Sequence, residues 1–345
     1  MSKQPKTNRR EILRAALAAG VATSAVQGAT EIPYRTLGRT GEKVSCIGMG
    51  GYHLGKKEVA EADAIKLVRS GVDRGINFLD NSWDYNKGES ENRVGKAVKD
   101  GGLRGRVFLM TKNDGRTGDE FNKQLNESLK RLQTDHVDLI QFHEIIRFED
   151  PDRIFAEGGA AQAALAAKKA GKVRYIGFTG HKDPNIHLYM LKVADRHKFQ
   201  FDTVQMPVNV MDYHFRSFTN EVLPELTKRN IGVLGTKSIG DTVILKSGAV
   251  TALECLQFSL SRPVSVQITG IDKPEILEQA IKAALTYDKV SKDQMTAILE
   301  RTKPYALEGK WELFKTSGLF DSTAQHPEWL GSVSPHVKAV QPPMS

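Results

Sequence analysis

Eight short runs of apolar and β-branched residues alternate with eight longer segments of helical period between residues 32 and 284. No other feature constrains the fold as strongly. The short runs are 44–47, 76–79, 107–110, 137–142, 173–178, 203–206, 231–234 and 265–268. The helical segments are 58–74, 91–98, 119–132, 153–170, 184–196, 218–229, 249–260 and 274–284. Pro184 and Pro274 suit the first turn of a helix, and Gly75, Gly171 and Gly232 suit helix ends before the next strand. Eight strand–helix units in a chain of 345 residues predict an α/β fold of the (β/α)8, or TIM, barrel type. The competing arrangement is a doubly wound sheet, with its phosphate fingerprint at "GMGGYHLG". Gly48 and Gly50 fit G-x-G-x-x-G, but His53 takes the third glycine's place and no acidic residue closes a suitable second strand.

Ahead of the first unit, "YRTLGRTGEKVSCIGMG" reads as a hairpin turning at Thr40-Gly41, placed to plug the N-terminal end of a barrel. The periodicity dissolves after residue 284, so residues 30–286 are expected to form the barrel. Residues 287–345 are expected to be a mixed, aromatic-bearing extension packing over it.

The first 29 residues stand apart. They carry Lys3, Lys6, Arg9, Arg10 and Arg14 against Glu11 alone, followed by a mildly apolar stretch too short and weak to span a membrane. Paired arginines, Ile12-Leu13 and the basic Arg14 match the order of a twin-arginine (Tat) export signal, which implies a periplasmic location and passing contact with the Tat export machinery. The other reading is a basic N-terminus on a cytoplasmic protein. Half of the net charge of +8 sits in this segment, and the remaining charges are interspersed. That pattern describes a solvated surface and not a nucleic-acid face. Only Cys46 and Cys255 occur, with no CxxC, which argues against a zinc ribbon, an iron–sulfur cluster or a disulfide framework.

Barrel enzymes take their catalytic groups from the C-terminal ends of strands. The second run leads into Asp80, the third into Lys112 and the fourth into His143, while Tyr85 follows in the loop after the second. Singly, each has an ordinary explanation: a helix cap, a surface lysine, a satisfied histidine, a loop aromatic. Together, three ionisable groups close three consecutive strands beside a phenol.

The chain here resembles the aldo-keto reductases over about residues 32–286. The resemblance is carried by "YRTLGRTGEKVSCIGMGGY", "FLDNSWDYNKGESE", "FLMTK", "DLIQFH", "GKVRYIGFTG" and "VQMPVN". It implies a catalytic set of Asp80, Tyr85, Lys112 and His143. It also implies a small carbonyl substrate and NADP(H) as cofactor, or NAD(H), with no metal or iron–sulfur cluster. Reduction needs a hydride at carbon, which no side chain supplies, and a proton at oxygen. Tyr85 is expected to give that proton. Lys112 is expected to lower the phenol's pKa, Asp80 to hold the lysine, and His143 to orient and polarise the carbonyl.

On the cofactor side, Gly50, Gly51 and Tyr52 offer backbone for close approach. Asp80 and Thr179 are expected near the nicotinamide, with Gln205 on its carboxamide. Thr236, Lys237 and Lys273 follow the seventh and eighth strands. The sequence departs from the family where Ser-Asn is common, reading Thr179-Gly180-His181. It departs again where an aromatic platform is common, with Thr236-Lys237, and where an arginine often meets the NADP phosphate, with Ile276. His53, Trp83 and His181 are candidate substrate-pocket residues. Two other functions fit parts of the chain. One is a nucleotide-binding sensor with little turnover. The other is a metal hydrolase, suggested by "HEIIR" at 143–147, which lacks the second histidine of a zinc helix. Oligomeric state is left open, and a monomer suits the reading.

Overall fold

Tyr34–Thr36 (β1) and Lys43–Ser45 (β2) pair antiparallel, with Tyr34 opposite Ser45. The computed structural model describes residues 31–333, so the expected export signal lies outside the described residues. The hairpin turns at Gly41, whose φ of 78° favours glycine. It carries Leu37 and Val44 into one buried cluster with Phe78, Phe108, Leu139 and Val266 from the barrel interior.

Eight parallel strands follow. They are Ile47–Gly50 (β3), Phe78–Asp80 (β4), Phe108–Asn113 (β5), Val137–Phe142 (β6), Val173–Thr179 (β7), Thr203–Pro207 (β8), Gly232–Thr236 (β9) and Val266–Gly270 (β10). They pair in chain order, and β10 closes the barrel on β3 in the register Gln267 to Ile47. The interior is filled with side chains; Phe78 stacks on Phe108 with ring centroids 5.2 Å apart. Outside, helices bury apolar stripes against the strands. Glu61–Asp73 does so through Ala64, Leu67, Val68 and Val72, at the three- and four-residue spacing of one helix face.

The barrel agrees with the sequence reading, and several details do not. The first barrel strand is Ile47–Gly50; residues 44–45 belong to the hairpin. Segment 153–170 is two helices, Glu149–Phe155 and Ala160–Lys169. A side chain at Gly159 would meet the Ile154 carbonyl at 2.4 Å, so the chain breaks where glycine permits. Segment 218–229 divides into Phe218–Glu221 and Leu223–Lys228, with Pro224 in the first turn of the second. Gly232 opens β9 and ends no helix; the left-handed residue there is Asn230, at φ 52°. A 15-residue helix, Lys292–Ala306, stands where no helical period was read, opened by a capping box between Ser291 and Gln294.

Residues 309–331 then cross the C-terminal mouth of the barrel, touching successive loops. Glu312 accepts from Asn209 Nδ2 after β8, and the Lys182 ammonium after β7 donates to the Ser317 carbonyl. Glu144 after β6 accepts from the backbone of Ser322 and Thr323, and Arg116 N after β5 donates to the Leu330 carbonyl. Trp329 packs edge-on against Trp83 after β4.

Candidate active site

The β4–β5 pairing continues past Asp80, because Asn81 N donates to the Met110 carbonyl and Trp83 N to the Lys112 carbonyl. This extension lines up Asp80 and Lys112. Tyr85 N then donates to the Ser82 carbonyl in a tight turn, and Asn86, Lys87 and Gly88 follow it, all at positive φ. Lys112 Nζ lies 2.5 Å from Asp80 Oδ1, 2.7 Å from the Asn81 carbonyl and 3.2 Å from Tyr85 Oη. The His143 ring stands 5.8 Å from the Tyr85 ring at 78°. The structure thus brings Asp80, Tyr85, Lys112 and His143 together.

The electrostatics differ from the expectation in one respect. The Tyr85 phenol is pushed well above its ordinary value, first by burial and then by Asp80, Asp84, Glu144 and Asp114. Lys112 does not bring it down, because Asp80 pairs with the ammonium and the pair presents little net charge to the phenol. The resting pocket therefore holds Tyr85 protonated.

Among the described residues, the polar contacts of the His143 ring run through Nδ1: 3.0 Å to Asp114 Oδ1, 3.2 Å to Ser82 Oγ and 3.4 Å to Asp84 Oδ1. Burial lowers its pKa, against the pull of Asp84 and Glu144. Asp84 and Asp114 were not singled out in the sequence. The signal was there: Asp84 precedes the tyrosine and Asp114 follows Lys112 by two positions, the period of a strand face. Asp84, Asp114 and His143 are the one set among the described residues whose donor atoms, within 4.8 Å of one another, are spaced for a metal ion.

For a nicotinamide nucleotide the informative residue is Gln205. It is 3% exposed on β8, level with Thr179 at the end of β7, and its Oε1 has no hydrogen-bond partner among the described residues. A buried orphan acceptor of this kind fits a carboxamide donor. Thr179 closes β7, buried, and Thr236 closes β9. Gly50 closes β3 and Gly51 follows it. The glycine at 51 is required by the protein itself, since a side chain there would meet Ser90 Oγ at 2.4 Å and the Asp80 carbonyl at 2.7 Å. Tyr52 is 45% exposed, with its ring edge-on to Tyr85. Lys273 is exposed at the N-cap of helix Pro274–Thr286. Lys237 adopts φ 58° and sits 4.5 Å from the Phe320 ring centroid, with burial lowering its pKa.

Two pocket candidates are tied to other groups. His181 Nε2 lies 3.1 Å from Asp321 Oδ1, and Trp83 is held between Trp329 and the Arg131 guanidinium. His53 Nε2 lies 3.4 Å from Asp241 Oδ1, near β10.

A parallel eight-stranded barrel carrying Asp, Tyr, Lys and His around one point of its C-terminal mouth is the arrangement expected of a carbonyl oxidoreductase. Comparison with known proteins agrees. The model of the Aldo/keto reductase family matches residues 46–249. L-galactose dehydrogenase of Arabidopsis thaliana is 30% identical over 316 residues, covering 79% of this chain and 96% of that protein. Aldo-keto reductase YhdN of Bacillus subtilis is 31% identical over 214 residues, 58% of this chain and 60% of its own. Among solved structures, aldo-keto reductase AKR11C1 from Bacillus halodurans superposes with a TM-score of 0.64 at 22% identity, covering 79% of this chain and 96% of its own. The chain belongs to the aldo/keto reductase family. It is an oxidoreductase that reduces carbonyl groups with NAD(P)H.

Proposed function

We propose that Tyr85 is the general acid of this reduction, working with Lys112, Asp80 and His143. The observation that carries the reading is the contact chain Asp80–Lys112–Tyr85, at 2.5 and 3.2 Å. The nicotinamide supplies the hydride when bound. A phenol held protonated at rest keeps its proton until negative charge grows on the carbonyl oxygen. At that moment Lys112 stabilises the forming tyrosinate, which is help confined to the transition state. His143 donates to the same oxygen and fixes its position. Gln205 holds the carboxamide through its orphan acceptor.

NADPH is the proposed preference, with NADH accepted. Lys273 is the cation available to a 2′-phosphate, and Asp272 and Glu275 beside it keep the discrimination small. A relative named for L-galactose supports sugar-derived carbonyls as the first substrates to try. The test is a fluorescence titration with NADPH and with NADH, followed by a panel of sugar aldehydes and small ketones. Carbonyl-dependent oxidation of either nucleotide is expected; tight binding without turnover of any carbonyl would favour a sensor.

We also propose export by the twin-arginine route, supported by Arg9-Arg10 and the weakly apolar stretch that follows. That route carries folded proteins, so the nucleotide would be loaded before transport. Fusing residues 1–30 to a reporter should send it to the periplasm, and Arg9→Lys with Arg10→Lys should retain it in the cytoplasm.

A further inference from the structure

Beside the proposed acid lies a set of charges that the reduction leaves unused. Lys112 is matched by Asp80 at 2.5 Å, and Arg116 by Asp150 at 2.9 Å, both pairs buried. Glu144 is satisfied by the backbone N–H groups of Ser322 and Thr323. Asp84 and Asp114 are left without a cation of their own. Both meet His143 Nδ1, at 3.4 and 3.0 Å, and the side chains are 8% and 0% exposed. Among the described residues, Asp84 Oδ1 and Asp114 Oδ2 have no hydrogen-bond partner of full geometry. Two ionised carboxylates with orphan oxygens are costly at this depth, and one proton between them removes most of the cost.

We infer that Asp114 and Asp84 are positioning residues that hold one shared proton against His143 Nδ1, so that Nε2 carries the hydrogen offered to the carbonyl oxygen. The proton count explains why this matters. A neutral imidazole has one N–H. With both carboxylates ionised, the Ser82 hydroxyl donates to Asp84, the imidazole hydrogen sits on Nδ1, donated to Asp114, and Nε2 is a bare acceptor facing an electron-rich oxygen. With one more proton in the cluster, Nδ1 is satisfied from the Asp114 side, and Nε2 becomes a donor.

Burial pushes the Asp114 carboxyl up to about 7, with Arg116 and Lys112 opposing and Asp150 assisting. Burial also raises Asp84, and Asp114 adds to that rise. The direction fixes the pH window. The cluster keeps its extra proton below about pH 7 and loses it above, and the hydrogen on Nε2 goes with it. The inference rests on His143 facing substrate, as proposed above.

The experiment is 15N NMR of the full chain labelled at histidine, recorded with a chelator so that no metal at these groups mimics the shift. The His143 signal is identified by its loss in His143→Gln. In the native chain His143 should carry hydrogen on Nε2 at about pH 6 and pass to the Nδ1 form as pH rises through about 7. In Asp114→Asn the amide donates to Nδ1 at every pH, so the Nε2 hydrogen should persist. In Asp84→Ala the switch should move to lower pH, because a like charge is gone. In parallel, kcat/KM of the native enzyme should fall about tenfold per pH unit above the switch, and that of Asp114→Asn should stay flat. Hydrogen on Nδ1 already at pH 6, or identical titrations in the native chain and Asp114→Asn, would overturn the inference. A switch in the spectrum that kcat/KM ignores would overturn its catalytic half and place the fault in the assignment of His143 to substrate.

Discussion

The Lys112 ammonium sits 2.5 Å from Asp80 Oδ1, and neither side chain is more than 4% exposed. Asp80 thus decides what Lys112 can do for its other neighbour, Tyr85. Paired, the lysine is a stored charge that becomes useful when a tyrosinate forms. Asp80→Asn leaves a buried ammonium without its counter-charge. It should lower unfolding stability by about 3–5 kcal/mol, the usual cost of breaking a buried pair, measured by urea denaturation at pH 7. Unchanged stability would mean that the pair is solvated in solution.

Crossing the mouth, residues 309–331 should shape substrate binding more than chemistry. Trp329→Ala removes the edge-on contact with Trp83, worth about 0.5–1.5 kcal/mol beyond area burial. KM for the best carbonyl should rise several-fold with kcat nearly unchanged, in steady-state assays at saturating nucleotide.

The same segment is held by Lys315, which bonds Asp212 at 2.7 Å and Glu312 at 3.0 Å, all fully buried. Burial pushes Glu312 up to about 7, with Lys315 opposing. Between its ordinary value of 4.5 and about 7, the folded chain holds a proton that the unfolded chain lacks. This contribution to stability is present below that window and fades as pH rises through it. Glu312→Gln should flatten the decline in Tm between about pH 5 and pH 8, read by differential scanning calorimetry.

At the cofactor end, Lys273→Glu should weaken NADPH binding roughly tenfold, about 1.4 kcal/mol, and leave NADH nearly unchanged. Equal losses for both nucleotides would remove Lys273 from the 2′-phosphate.

Much of this was legible in the chain because barrel strands are short, apolar and bounded by glycine or proline. Helix Pro184–Arg196 has the bounds read from its helical period, with Pro184 in its first turn. The first strand was misplaced because residues 44–50 form one uncharged run that serves two sheets in turn, and periodicity marks no joint between them. Helix Lys292–Ala306 was missed because it is mostly exposed and carries Pro304, leaving a faint apolar stripe. Its capping box was the readable trace. Asp80, Lys112 and His143 could be read from strand ends, and Tyr85 from the loop after β4. The upward push on Tyr85 could not, since it depends first on burial and then on Asp80, Asp84, Glu144 and Asp114 converging on the phenol.

The central claim is that Tyr85 delivers the proton. The direct test is Tyr85→Phe, with NADPH binding followed by fluorescence and carbonyl reduction followed in a single turnover. The ring is kept, so the nucleotide should bind as in the native chain. Reduction should slow by roughly 10²–10⁴, the span of a lost general acid. Reduction at the native rate by that variant would contradict the account and leave His143 as the remaining proton donor.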